Sequence, residues 1–150
     1  MQTFENKGRE KGFVATASVC VKASLDKVWK ALTDGEIIKQ YMFGTNISSE
    51  WKQGSPIIWR GTWQGKIYED KGVILKLEPN RLIEYTHFSP LSGKPDLSEN
   101  YHKITIKLSD KGKETRIDLS QDNNESEETQ KHSENNWKKM LESLKKLLEK

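Results

Sequence analysis

At 150 residues the chain has the ordinary size of one hydrophobic core. Hydrophobic residues make up only 33% and charged residues 31%, a balance that leans towards disorder, but five Trp, four Tyr and four Phe supply large areas to bury, so a modest core built on aromatics is expected. The net charge of +3 comes from 25 basic and 22 acidic side chains interspersed along the chain, which excludes the basic stripe or tail that nucleic-acid binding requires.

Residues 1–11 are polar and lack the apolar centre of a secretory leader. No apolar run approaches the roughly 20 residues that span a bilayer. The expectation is a cytoplasmic protein without membrane insertion, in which the sequons Asn46-Ile47-Ser48 and Asn124-Glu125-Ser126 carry no meaning. From residue 13 the pattern alternates: Phe13, Ala15, Ala17, Val19 and Val21 share one face, and Thr16, Ser18, Cys20 and Lys22 the other. Such period-two alternation marks a half-buried strand. Cys20 is the only cysteine, so an intrachain disulfide and a Cys-based zinc site are excluded, and it reads as a bystander thiol. Ser24 then caps a short helix carrying Leu25, Val28, Trp29 and Leu32 at i, i+3, i+4 and i+7. Asp34-Gly35 breaks it. A second short helix puts Ile37, Ile38, Tyr41 and Met42 on one side and stops at Gly44.

Residues 51–123 read as consecutive strands. Ile57, Trp59, Gly61 and Trp63 alternate with Ile58, Arg60 and Thr62, and Gln64-Gly65 marks a turn. In the next strand Val73, Leu75 and Leu77 alternate with Ile74 and Lys76, and Gly72 suggests a bulge or a close backbone approach. After the turn Glu78-Pro79-Asn80-Arg81, one face carries Ile83, Tyr85 and His87. Residues 89–100, with Pro90, Gly93 and Pro95, form the longest loop of this region. His102, Ile104, Ile106 and Leu108 share the next face, and Asp110-Lys111-Gly112 turns the chain into Thr115, Ile117 and Leu119. Strands in direct succession across short turns pair antiparallel.

The last element is a helix. Asn124 with Glu127 three residues on resembles a capping box. Acidic residues open the helix, while Lys138, Lys139, Lys145 and Lys146 lie late in it, where cations complement its dipole. Trp137, Met140, Leu141, Leu144, Leu147 and Leu148 form an apolar stripe at helical spacing, which has only the sheet as a large partner. The same face is polar before Trp137, at Asn136, Ser133, Gln130, Thr129 and Ser126, so the first half of the helix either overhangs into solvent or lines a polar opening.

The order strand, two short helices, antiparallel strands and long C-terminal helix is the helix-grip plan, an α+β fold with a curved sheet wrapped around the last helix. At the residue level, the run from Ala23-Ser24-Leu25-Asp26-Lys27-Val28-Trp29 to Thr33-Asp34 resembles the opening motif of the bacterial relatives of the activator of the heat-shock chaperone ATPase. These belong to the START-like, Bet v 1-like (SRPBCC) superfamily. Further matches are Gly72-Val73-Ile74 leading to Glu78-Pro79-Asn80-Arg81-Leu82, then Tyr85-Thr86-His87-Phe88, Thr115-Arg116-Ile117, and Asn136-Trp137 before the leucines. The motifs are specific only as an ordered set. The resemblance spans about residues 12–148 and implies one domain over 1–150 with a cavity between sheet and helix, used across the superfamily for apolar ligands. It brings no universal catalytic residues, and fold analogy alone does not set function.

The residues present little catalytic equipment. There is no Gly-x-Ser-x-Gly elbow and no Gly-rich phosphate loop. His87, His102 and Glu84 do not converge on the alternation, since Glu84 faces away from His87, so no metal and no cofactor are expected. Glu69-Asp70 is expected at a solvated turn. The function expected first is binding of a small apolar or amphipathic molecule between helix and sheet. The candidate ligand-binding residues are Tyr41, Phe43, Ile57, Trp59, Trp63, Val73, Leu75, Tyr85, His87, Ile104, Trp137 and Met140. Arg60 joins Tyr85 and His87 as a polar anchor, although alternation sets it opposite Trp59. Loop 89–100 and the helix pair around Tyr41 and Phe43 are the expected entrance. The alternatives are an interaction protein of co-chaperone type, with a chaperone as partner, and an enzyme using Tyr85, His87 or Glu84 as acid and base with a displaced pKa. A void below about 300 Å³ favours the interaction protein. A monomer or a homodimer through exposed strand edges fits equally well.

Overall fold

The computed structural model describes residues 11–150, and of Trp63 the backbone alone. The leader reading of residues 1–11 therefore lies, but for Lys11, outside the described residues. In chain order the elements are β1 (Phe13–Val21), α1 (Leu25–Thr33), α2 (Gly35–Tyr41), β2 (Asn46–Ser49), β3 (Pro56–Trp63), β4 (Lys66–Glu78), β5 (Leu82–His87), β6 (His102–Asp110), β7 (Thr115–Asn124) and α3 (Glu127–Leu148). The seven strands make one curved antiparallel sheet in the order β1-β7-β6-β5-β4-β3-β2, so the first strand joins the last and β2 forms the opposite edge. With α1 and α2 after the first strand and α3 packed into the sheet, this is the α+β helix-grip arrangement. No helix among the described residues is long and apolar enough to cross a membrane.

Local chemistry sets the helix boundaries. The Ser24 hydroxyl accepts from the Lys27 amide at 3.2 Å and starts α1. Asp34 ends that helix and caps the next, its Oδ1 accepting from the amides of Glu36 (2.9 Å) and Ile37 (3.4 Å). One residue thus supplies both the break and the restart. The cap of α3 differs from expectation. The box is built by Ser126 and Thr129, each side chain bonding the other's amide. Asn124 instead finishes β7, where its buried amide donates to the carbonyls of Phe13 (3.0 Å) and Gln121 (3.1 Å).

The two halves of α3 attach differently. Met140, Leu141, Leu144 and Leu148 are buried in a core shared with Val21, Val28, Ile83, Ile106, Ile117 and Leu119, each contributing about 1.5–3 kcal/mol by burial. The polar half neither overhangs freely nor merely lines an opening. Gln130 Nε2 donates to the Val14 carbonyl (2.7 Å), and Glu134 Oε2 accepts from the Thr16 amide (2.9 Å). Farther along, Lys145 Nζ donates to the Cys20 carbonyl (2.7 Å) and Glu149 Oε2 accepts from the Lys22 amide (2.8 Å). Side chains of the helix and its C-cap therefore occupy outward backbone groups of edge strand β1 and of Lys22 just after it, which blunts that edge for pairing with another chain. The other edge, β2, is only four residues long and was not foreseen as a strand.

The facing of β4 is the main correction. Ile74 is fully buried, whereas Val73 and Leu75 are 41% and 42% exposed on the outer face. A register shift between Ile74 and Lys76 then reverses the alternation, which returns Leu77 to the core side. Val73 and Leu75 thus leave the set of inward residues. Gly72 is a site of close approach: a Cβ there would lie 1.7 Å from the Thr86 carbonyl oxygen, so only glycine lets β4 lie against β5 at this point.

Candidate functional site

Once Ile74 and Gly72 face inward, period two brings Asp70 and Tyr68 to the same face. Asp70 lies directly opposite Trp59 in the β3–β4 ladder, His87 opposite His102 in β5–β6, and Ile104 opposite Gln121 in β6–β7. These cross-strand neighbours wall a cavity of about 180 Å³, closed by Met42 from the end of α2, Thr45 and Trp137 of α3. Tyr68 lies across Gly61, whose missing side chain makes the room, and its hydroxyl meets Thr45 Oγ1 at 2.8 Å. A void of about 20 Å³ continues beneath, between Tyr41, Trp59, Ile83, Tyr85 and Met140. Outside, Met42, Gln121 and Trp137 also line an open groove of about 460 Å³, rimmed by Phe43, Asn136 and Lys139.

The polar end of the cavity is a linked set. His87 Nε2 lies 2.9 Å from Asp70 Oδ2, and because an ionised carboxylate only accepts, the ring nitrogen donates. The second carboxylate oxygen, Asp70 Oδ1, is buried with no hydrogen-bond partner among the described residues. His102 Nδ1 donates to the Asp122 carbonyl at 2.8 Å, which leaves the lone pair of the neutral ring on Nε2. Burial pushes the His102 pKa below the ordinary histidine value, the bond to Asp122 opposes this, and neighbouring His87 adds to the lowering. The two imidazoles stack with centroids 6.2 Å apart, and Trp59 meets His87 edge to face at 4.9 Å. Burial raises the Tyr85 phenol well above its usual range, so it stays neutral. Chemically, the set offers acceptors at Asp70 and His102, donors at the Tyr85 hydroxyl and the Trp59 indole, and aromatic faces. Among the described residues no group of three or more His, Cys, Asp or Glu could hold a metal ion.

The expected residues divide into three groups. Trp59, Tyr85, His87, Ile104 and Trp137 stand together in the cavity wall. Tyr41 and Met140 lie below it, with the Tyr41 hydroxyl spent on the Ala31 carbonyl at 2.8 Å. Ile57 is buried in the core, Phe43 is 76% exposed on the groove rim, and Val73 and Leu75 face outward. The Trp63 side chain lies outside the described part of the structure. Arg60 also points away and pairs with exposed Glu69 at 2.7 Å. Tyr101 and Lys71 hold loop 89–100 through Asp96, and none of its residues lines the cavity. Asp70, Tyr68, Thr45 and Gln121 were missed. For Asp70 the signal was present: counting back by two from a correctly faced Ile74 reaches it.

Residues 22–149 match the sequence model of the Activator of Hsp90 ATPase homolog 1-like protein family. The chain is similar to the solution structure of ChR145 from Cytophaga hutchinsonii, at 54% identity over 93% of this chain and 96% of that one, with a TM-score of 0.82. It shares its fold with the Aha1 dimer from Colwellia psychrerythraea (22% identity, 91% of this chain and 96% of that one, TM-score 0.71). CalU16 from Micromonospora echinospora has the same fold (23% identity, 87% and 73%, TM-score 0.68). No curated protein matches the sequence.

Proposed function

The chain belongs to the Activator of Hsp90 ATPase homolog 1-like family, and we propose that it binds one small amphipathic molecule of about single-ring size between its sheet and α3. The observation that carries this reading is the cavity of about 180 Å³ lined by Asp70, whose Oδ1 is buried with no hydrogen-bond partner among the described residues. An unsatisfied buried acceptor costs about 1–3 kcal/mol, and a ligand donor would recover that cost. Size sets the class. A dry protein cavity of about 150 Å³ accommodates benzene, whereas drug-sized sites begin near 300 Å³. A steroid or a lipid therefore exceeds this space. Only the adjoining groove at Met42 and Trp137 could take the remainder of a longer molecule. Native mass spectrometry of the freshly purified protein, followed by NMR titration with single-ring fragments, tests the reading. The expected result is saturable shifts of Trp59, Tyr85 and His87 resonances; a panel that moves none of them would overturn it.

The same volume, being below about 300 Å³, supports a second reading, in which the chain acts on a partner protein as the family's description suggests. Retention of the ATPase chaperone from the same cell on the immobilised chain, with a change in its turnover, would favour this reading; absence of both counts against it.

A further inference from the structure

Resting on the ligand-binding reading, we infer that the cavity selects an organic cation, a protonated amine or amidine on a single ring, over neutral or anionic molecules of the same size. Four observations converge on this chemistry. Asp70 lines the cavity with one oxygen held by His87 and the other buried with no donor among the described residues. His102 turns an acceptor nitrogen to its surroundings, because its donor is fixed on the Asp122 carbonyl. The Trp137 indole N–H is already spent on Gln121 Oε1 at 2.5 Å. Among the described residues no lysine or arginine lines the cavity to neutralise a carboxylate or phosphate.

The walls complete the argument. Trp59, Tyr68, Tyr85 and Trp137 surround the space with aromatic surface. The negative ring faces attract a cation, most strongly when it is removed from water. An N–H of the same cation can give the Asp70 carboxylate a charge-assisted hydrogen bond. An anion would meet the same carboxylate and the same ring faces as repulsion. The apolar walls that the superfamily resemblance suggests are therefore joined by a polarity that favours positive charge.

Three probes of matched size separate the terms: benzamidinium, benzoate and toluene, titrated by NMR into the full chain and into Asp70→Asn at pH 7.5. In the wild type, benzamidinium is expected to bind at least tenfold more tightly than either other probe. Asp70→Asn is expected to bring benzamidinium down to the level of toluene. If benzoate or toluene binds as tightly as benzamidinium, the charge selection is overturned while cavity binding stands. If none of the three moves the cavity resonances, both fall. Should the Asn variant fail to fold, the order of the three probes on the wild type decides the matter.

Discussion

Strands β5 and β6 run the same ladder through two different environments. At one end Ile83 faces Ile106; two steps along, Tyr85 faces Ile104; two steps further, His87 faces His102. The Ile83 end is sealed by α1 and by Leu141 and Leu144, and both isoleucines are buried. The His87 end opens into the cavity beside Asp70 and Gln121. The strands are alike in geometry, so the difference comes from what covers them. The leucine-bearing half of α3 fills the first end. Over the second, the helix offers Trp137, Asn136 and Ser133, and a hollow remains. One helix, changing character along its length, makes a core at one end of the sheet and a candidate site at the other.

The sealed end should be the more sensitive to lost volume. Leu144 is fully buried there, and Leu144→Ala is expected to cost about 2–5 kcal/mol, measured by urea unfolding. A loss below about 1 kcal/mol would show that this end is loosely packed after all. The boundary between the two ends is fixed by Gly72. Gly72→Ala sets a methyl group against the Thr86 backbone, and strain of this kind costs about 1–3 kcal/mol. Because β4 must then move off β5, the Asp70–His87 bond should open as well, visible as a displaced His87 resonance. An unchanged His87 in a destabilised Ala variant would separate the two effects.

The fold was legible in the sequence because its signals are local and repeated. The Ser24 and Asp34 caps, the period-two runs of β1, β5 and β6, and the leucine stripe of α3 each follow from nearby residues alone. The site was legible in half. Trp59, Tyr85, His87, Ile104 and Trp137 belong to runs whose facing is unambiguous. Asp70 was lost because Val73, Ile74 and Leu75 are all apolar, so alternation has no contrast there, and the register shift after Ile74 erases the parity that Leu77 would have supplied. The Ser126 cap escaped for a similar reason, since Asn124 and Glu127 imitate a box two residues early. His87 and His102 meet by strand register, a pairing that spacing along the chain does not specify.

The open end carries the pH dependence. Burial holds the His102 pKa below its ordinary value of 6.5, with His87 as a further lowering influence and Asp122 opposing it. Between the ordinary and the lowered value, the unfolded chain takes up a proton that the folded chain refuses, so stability rises with pH through that window. The contribution of this ring is complete above 6.5 and is lost as the pH falls below it. Unfolding midpoints are therefore expected to drop between pH 7.5 and 5.5, by less than either packing change costs. His102→Asn keeps a donor for the Asp122 carbonyl without a titrating ring and should flatten the profile; an equally steep profile would assign the dependence to another group.

The smallest expected effect is the most informative about purpose. Asp70 and His87 are paired but only partly screened, with side chains 15% and 28% exposed, and one carboxylate oxygen gains nothing from the fold. Desolvating such a pair roughly offsets its attraction, and removing both partners together avoids leaving either one stranded. The double variant Asp70→Val with His87→Ile extends the isoleucine character of the sealed end up the ladder. Its stability should lie within about 1 kcal/mol of the wild type, while binding of a cationic probe disappears. If the double variant is much less stable, the pair belongs to the architecture and the contrast between the two ends is one of composition alone. If stability holds and binding goes, the polar end is maintained for what it holds.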